Sequence, residues 1–210
     1  MAHIYSIDGV VPVVDRSAFV HPTAVLIGDV IIGPNCYVGP GASLRGDFGS
    51  LVLEEGSNLQ DTCVMHSFPG AETVVETNAH IGHGAVLHGC RIGKNAMVGM
   101  NAVVMDGAVV GESSIIAALT FIKAKMIVPA RSLVAGVPGR IVRELTDEEI
   151  AWKSEGTRVY QALTQRSLRT MREVQPLSAV EPDRKRIATV AALPVYLTKQ
   201  DAQSPLKEQP

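Results

Sequence analysis

Aliphatic residues recur along this chain at intervals of six, each followed by a small or polar residue. From Ile92 to Val134 the series has no gap, and shorter runs precede it: Val20, Leu26, Ile32, Val38 and Leu44; then Leu53, Leu59 and Met65; then Val75, Ile81 and Leu87. A helix repeats every 3.6 residues and a strand every 2, so neither explains a period of six. The pattern predicts a coil of short strands and tight corners, the hexapeptide form of β-helix.

The repeat also predicts how the chain is divided. It resembles that of the left-handed parallel β-helix proteins, in which three hexapeptides make one triangular turn. We therefore expect an all-β fold, a left-handed parallel β-helix of hexapeptide repeats over residues 1–140, which carries the candidate site. A long C-terminal α-helix is expected within residues 141–176, and an extended tail over residues 177–210. The tail contains an apolar run, 187–197, that should pack on its own coil or on a neighbour.

The helix prediction depends on a capping signal and on an apolar stripe. The segment Thr146-Asp-Glu-Glu149 has the pattern of a capping box, in which the Thr hydroxyl and the Glu carboxylate serve free backbone amides. Pro176 marks the end of the helical segment. The stripe expected to pack the helix along the coil consists of Ile150, Ala151, Val159, Leu163, Leu168 and Met171.

Composition narrows the classes of function. Aromatic residues make up only 4% of the 210 residues, as suits a narrow coil filled with aliphatic ladders. The formal net charge of −2 argues against nucleic-acid binding. No apolar run reaches membrane-spanning length and no secretory signal is evident, so we expect a soluble, cytoplasmic protein without a membrane partner. Three widely spaced cysteines, Cys36, Cys63 and Cys90, indicate reduced thiols.

The repeat predicts the positions of two histidines. His66 follows the aliphatic Met65 and His88 follows Leu87, 22 residues apart. That spacing is one turn of 18 residues plus four residues inserted after Met65. The two imidazoles should therefore occupy one column, about 4.8 Å apart along the coil. Arg45 belongs to the same column, one turn earlier.

His83 lies in the preceding hexapeptide, on an adjoining face. It cannot easily reach an ion held by His66 and His88 of its own chain. In a threefold assembly of prisms, however, an edge carrying His83 can approach the face of the next copy. Three imidazoles with one open position are typical of catalytic zinc, and they also suit iron or cobalt. The alternative is that these are unrelated surface histidines in a chain that has six.

Further motifs surround the histidines. They are Arg45-Gly-Asp47, the series Asn58-x-Gln60-Asp61-x4-His66, and Gly82-His83-x4-His88-Gly89. This set resembles the γ-class carbonic anhydrase family. The resemblance implies a homotrimer in which His66 and His88 of one subunit and His83 of its neighbour bind the metal.

The resemblance also implies roles for the other residues of these motifs. Arg45 and Asp47 would form an ion pair between subunits, Gln60 would hydrogen-bond the metal-bound water, and Asp61 would lie nearby. Asn58 completes the set of catalytic candidates. The alternative for Arg45 and Asp47 is a purely structural ion pair at the interface.

One position departs from the founding enzyme of that class. A proton-shuttling glutamate is replaced here by Pro69, and Glu72 is the remaining acid in a short loop. Over nearly the whole chain, in motifs such as Ser43-Leu-Arg-Gly-Asp-Phe-Gly49 and Ala85-Val-Leu-His-Gly-Cys90, the sequence resembles the PaaY-type thioesterases of phenylacetate catabolism, with the CaiE-type carnitine-operon proteins as near neighbours. This similarity implies hydrolysis of acyl-CoA thioesters.

The phosphates of an acyl-CoA substrate require cations. The candidates are Arg169, Arg172, Arg184, Lys185 and Arg186. CO2 hydration remains the second hypothesis, and an acyltransferase or non-catalytic role the third.

Overall fold

The computed structural model describes residues 2–187. The predicted apolar run 187–197, apart from its first residue, and the chain end lie outside these residues. The chain divides into two units, 1–172 and 173–210. In the second unit, residues 173–187 are exposed and form neither helix nor strand. No helix within residues 2–187 is long and apolar enough to span a membrane.

Short strands stacked in parallel form the coil, as the period of six predicts. Twelve strands belong to one sheet: β1 (His3–Tyr5), β2 (Val13–Val14), β4 (Val25–Ile32), β6 (Ser43–Leu53), β8 (Val64–His66), β9 (Thr73–Val75), β11 (Val86–His88), β12 (Arg91–Ile92), β14 (Val103–Val104), β15 (Val109–Val110), β17 (Phe121–Ile122) and β18 (Ile127–Val128). Eight belong to another: β3 (Phe19–Val20), β5 (Tyr37–Val38), β7 (Asn58–Leu59), β10 (His80–Ile81), β13 (Met97–Val98), β16 (Ile115–Ile116), β19 (Ser132–Ala135) and β20 (Arg140–Glu144).

The aliphatic member of each hexapeptide fills the interior. All eight members of the series from Ile92 to Val134 are at most 1% exposed. A ladder of this kind lets each residue pack on its counterpart one turn away, so burial rises with every added turn. The left-handed β-helix predicted from the repeat is confirmed.

Helix α1 (Asp147–Thr170) begins where the capping box predicts. The hydroxyl of Thr146 accepts a hydrogen bond from the Glu149 amide at 3.3 Å, and the Glu149 carboxylate accepts one from the Thr146 amide at 3.1 Å. Arg143 binds the same carboxylate through both terminal nitrogens, each at 2.8 Å. Residues 140–144, just before the capping box, form β20, which pairs antiparallel with β19. The helix ends at Thr170, earlier than the predicted stop at Pro176.

The predicted apolar stripe is not what docks α1. Its buried side chains are polar or charged, while Leu168 and Met171 are each 40% exposed. Those buried side chains are Glu149, Lys153, Thr157, Thr164 and Ser167. The prediction was wrong because the helix side chains that bond the coil, Lys153, Gln161 and Gln165, meet a column of asparagines at its corners.

Three asparagines form this column: Asn35, Asn78 and Asn95. All three have positive φ, which Asn tolerates better than most residues. Gln165 donates to the side-chain oxygen of Asn35 and Gln161 to that of Asn78, both at 2.8 Å. Lys153 donates to the Asn78 carbonyl at 2.7 Å and to the Asn95 side chain at 2.8 Å. These amide ladders place the helix along the eight-stranded sheet.

Removing the cap should weaken the helix without affecting the coil. We expect Thr146→Ala to lower the free energy of unfolding by about 1 kcal/mol, because the Glu149 amide loses its acceptor. Chemical denaturation followed by circular dichroism measures the change. Thr170→Ala is the matched control, since its hydroxyl bonds only the Arg166 carbonyl within the exposed last turn.

Candidate metal centre

His66 and His88 lie side by side, as the hexapeptide spacing predicts. They are register partners in the parallel strands β8 and β11. Nδ1 of His66 lies 3.1 Å from Nε2 of His88, and the ring centroids are 5.1 Å apart. With metal–nitrogen bonds of about 2.0–2.1 Å, two imidazole nitrogens of a tetrahedral zinc site lie about 3.3 Å apart. The donor pair therefore fits a divalent metal.

A carboxylate holds the far nitrogen of each ring. Oδ1 of Asp47 lies 3.0 Å from His66 Nε2, and Oδ1 of Asp106 lies 2.6 Å from His88 Nδ1. Metal-binding histidines are commonly oriented in this way. Sequence reasoning missed Asp106, although it follows His88 by 18 residues, one turn of the coil.

Arg45 and Asp47 pair with each other within one chain. Arg45 Nη1 donates to Asp47 Oδ2 at 2.6 Å. The resemblance implied a pair between subunits, whereas here the side chains of Arg45 and Asp47, on either side of Gly46 in β6, contact each other. Burial alone would raise the pKa of Asp47, but the hydrogen bonds from Arg45 and His66 hold it below its usual range. Asp47 thus stays ionised to orient His66.

Two aromatic side chains flank the imidazoles. The Phe48 ring lies 5.4 Å from that of His66, and the Phe68 ring 4.9 Å from that of His88. The Gly70 amide donates to the Phe48 carbonyl at 3.3 Å, which joins the strand to the inserted loop. A Cβ on Gly49 would lie only 2.0 Å from the Ala71 carbonyl oxygen, so this close approach requires glycine.

The acid left in this loop is already paired. Glu72 Oε1 accepts from Arg91 Nη2 at 2.7 Å, and Arg91 Nη1 donates to Glu76 at 2.8 Å. Glu72 is therefore a partner of Arg91 here, and Pro69 has no proton to exchange.

The other predicted residues gather on the eight-stranded sheet. Asn58 lies in β7, Gln60 and Asp61 follow it, and His83 follows β10. Nδ1 of His83 contacts Oδ2 of Asp61. Among residues 2–187 of a single chain, no three His, Cys, Asp or Glu side chains are grouped to hold a metal. The structure thus places the candidates in two sets. Arg45, Asp47, His66 and His88 lie in strands of the twelve-stranded sheet, whereas Asn58 lies in β7 of the other sheet and Gln60, Asp61 and His83 lie just after its strands.

His80, which sequence reasoning did not select, lies within the second set. Its Nε2 is 2.7 Å from Gln60 Nε2, and its Nδ1 is 3.3 Å from Asn58 Nδ2. The Tyr160 ring of α1 meets the imidazole edge-on, with centroids 5.2 Å apart. Burial, with the nearby positive charges of Lys153 and His83, lowers the pKa of His80 to about 3. The same burial lowers the pKa of Lys153 to about 7.

The lowered pKa of His80 predicts a loss of stability in acid. A histidine protonates near pH 6.5 in the unfolded chain but near 3 in the fold, so protons favour unfolding between these values. His80 should make stability fall by up to about 1.4 kcal/mol per pH unit as pH drops from 6.5 towards 3. Urea unfolding of the wild type and of His80→Gln checks this: the wild type should lose more stability over that range.

Comparison with known proteins places the chain among hexapeptide-repeat proteins. The family model for bacterial transferase hexapeptide (six repeats) matches residues 12–46 and 89–124. Carnitine operon protein CaiE of Citrobacter koseri is 54% identical over 183 residues, which cover 87% of this chain and 93% of that protein. The protein of the same name from Salmonella newport is also 54% identical over 183 residues, with 87% and 92% covered.

Solved structures agree. A hexapeptide transferase family protein from Anaplasma phagocytophilum is 39% identical with a TM-score of 0.75, covering 78% of this chain and 96% of that one. A candidate acetyltransferase from Bacillus cereus is 30% identical with a TM-score of 0.78, covering 79% and 96%.

Proposed function

The chain belongs to the hexapeptide-repeat family that includes the carnitine operon protein CaiE, and on that premise we propose that it is a metal-dependent hydrolase of acyl-CoA thioesters. It would act as a cytoplasmic homotrimer. The observation that carries the proposal is the His66–His88 pair, whose facing nitrogens lie 3.1 Å apart while carboxylates hold the opposite nitrogens. Two solvated surface histidines do not need two such anchors.

The metal ligands would come from two subunits. His66 and His88 of one copy would supply two nitrogens and His83 of the next copy the third. Zinc is the first expectation, with iron or cobalt as alternatives. When bound, such a metal acts as a Lewis acid, which lowers the pKa of a coordinated water and polarises a carbonyl oxygen.

The chain's own side chains have separate tasks in this proposal. Asp47 and Asp106 would fix the two rings, and Arg45 would keep Asp47 ionised. Asp61 would orient His83 in the same manner. The exposed rings of Phe48 and Phe68 would cover the acyl group and limit the access of bulk water.

Hydrolysis of a thioester places few demands on an acid group. The leaving thiolate is stable enough to depart without a strong general acid, so the lack of a free acid in the 67–72 loop does not oppose this reaction. Gln60, aligned by Asn58 at 3.0 Å, would orient the attacking water. Arg169 and Arg172 near the end of α1, with Arg184, Lys185 and Arg186, are candidates for binding the CoA phosphates.

The finer assignment, to PaaY-type hydrolysis of ring-derived CoA adducts, is supported only by the resemblance over nearly the whole chain. CO2 hydration is the alternative that the histidines equally allow; the pairing of Glu72 with Arg91 counts against it as the main activity. Acyl transfer is the second alternative, favoured by the hexapeptide transferase match and by the name of the Bacillus cereus relative.

One experiment separates these functions. Purified protein is loaded with zinc, iron or cobalt, and its metal content and native mass are measured. Each form is then assayed for hydrolysis of aryl-CoA thioesters, for CO2 hydration, and for transfer from acetyl-CoA to amine acceptors. We expect thioester hydrolysis by a trimer with one metal per subunit. CO2 hydration without thioester turnover would contradict the proposal, and so would a monomer or a protein that binds no metal.

A further inference from the structure

We propose that His80 is a positioning residue, which fixes the carboxamide of Gln60 so that its carbonyl oxygen, and not its NH2 group, serves the reaction. This inference rests on the proposed function for its catalytic meaning. The juxtaposition that carries it is a polar cluster of three residues, the buried Asn58 and Gln60 and the half-buried His80, beside the Tyr160 ring of α1.

The contacts of Gln60 use both hydrogens of its NH2 group. Gln60 Nε2 lies 2.7 Å from His80 Nε2 and 3.0 Å from Asn58 Oδ1. A primary amide nitrogen has two hydrogens to donate, and its carbonyl oxygen only accepts. Gln60 is 2% exposed and Asn58 1%, so a partner lost here is not replaced easily by water. Only the side-chain oxygen Oε1 of Gln60 therefore remains to accept a hydrogen bond from a group outside this cluster.

His80 can accept this hydrogen bond only as a neutral ring. A neutral imidazole has one acceptor nitrogen, and each nitrogen of His80 faces an amide NH2 group. We assign the acceptor to Nε2, which makes the 2.7 Å contact; the protonated Nδ1 then only lies near Asn58 Nδ2, at 3.3 Å, without a hydrogen bond. The Tyr160 ring stands at 88° to the imidazole and covers it. This burial, followed by the charges of Lys153 and His83, keeps the pKa of His80 at about 3. The acceptor state thus persists at any pH at which the protein would work.

The orientation restricts what Gln60 can do chemically. An acceptor oxygen can hold a hydrogen of the attacking water and so direct its lone pair. It cannot stabilise the oxyanion that forms at the thioester carbonyl, because an oxyanion requires donors. Gln60 therefore acts on the nucleophile, and His80 acts on the reaction only through Gln60.

A double-mutant cycle tests this dependence. We expect Gln60→Ala and His80→Ala each to lower kcat about 10- to 100-fold with little change in KM, because a misdirected water reacts slowly. The double variant should be no slower than Gln60→Ala, since His80 has no effect once Gln60 is absent. His80→Gln, which can present a carbonyl oxygen to the same NH2 group, should restore most of kcat. His3→Ala, in exposed strand β1, is the matched control.

Multiplying effects in the double variant would overturn the proposal, as would His80→Ala with normal kcat and only a lower melting temperature. If His80→Ala does not fold, Tyr160→Ala enters the same cycle with Gln60→Ala.

A second measurement does not require turnover. Nitrogen NMR of histidine-labelled protein should show His80 neutral, with Nε2 as a hydrogen-bonded acceptor whose chemical shift changes in Gln60→Ala. A proton on Nε2 would sink the inference even if thioester hydrolysis is confirmed. An unprotonated Nε2 in a wild-type protein that does not hydrolyse thioesters would support the assigned His80–Gln60 hydrogen bond and contradict the proposed function.

Discussion

Replacing His88 with Ala is expected to remove metal binding and to lower thioester turnover by more than about 100-fold. Loss of only a group that hydrogen-bonds a metal ligand already lowers metal affinity or activity about 10- to 100-fold, and His88 would itself be a ligand. The substitution deletes the nitrogen that faces His66 at 3.1 Å and leaves one ligand on this face. Metal content of the purified protein and kcat/KM on an aryl-CoA thioester measure the two effects. Unchanged metal content in His88→Ala would show that the pair is not a metal site.

Asp106→Asn refines this test, because it keeps every metal-ligand nitrogen. His88 would lose the carboxylate at 2.6 Å and retain only a neutral oxygen, so its ring would be oriented less firmly. We expect a loss of metal affinity of about 10- to 100-fold, smaller than that for His88→Ala. His21→Ala is the control, since His21 contacts Thr23 at 2.9 Å and neither of the two sets. Equal losses in Asp106→Asn and His21→Ala would mean that the carboxylate has no specific role.

The fold could be predicted because its cause is periodic in the sequence. Each turn of a β-helix buries the same positions, so one aliphatic residue in six records the architecture directly. No periodic pattern in the sequence indicates how α1 docks on the coil. Its polar contacts include hydrogen bonds from Lys153, Gln161 and Gln165 to corner asparagines, and polar residues at these spacings also occur on solvated helices.

The candidate site was predictable in part for the same reason. Counting hexapeptides, with four inserted residues, places His66 beside His88. The same count adds Asp106, one turn after His88, but a carboxylate 18 residues away has meaning only once the ring orientation is known. His80 was harder still. Its neutral state depends on burial by Tyr160, 80 residues later in the chain, and no local pattern encodes that contact.

If the site is shared between subunits, two inactive proteins should restore activity when combined. His83→Ala lacks the ligand that a subunit would give to its neighbour, and His88→Ala lacks one that it would keep. In a mixed trimer, a site is intact wherever the His66 and His88 of a His83→Ala subunit meet the His83 of a His88→Ala subunit. Every mixed trimer, whichever subunit is in excess, has about one intact site in three, so we expect about a third of wild-type turnover.

The matched control is a mixture of His66→Ala with His88→Ala. Both ligands lie in one column of one chain, in β8 and β11, so no arrangement of these subunits assembles a complete set. Differently tagged subunits, co-expressed and purified through both tags, ensure that only mixed trimers are assayed. Recovery in the first mixture and none in the second is expected because His83 lies in the turn after β10, outside the column of β8 and β11 that holds His66 and His88. No recovery in verified mixed trimers of the first kind would contradict the shared site, and His83 would then be at most a partner of Asp61 within its own chain.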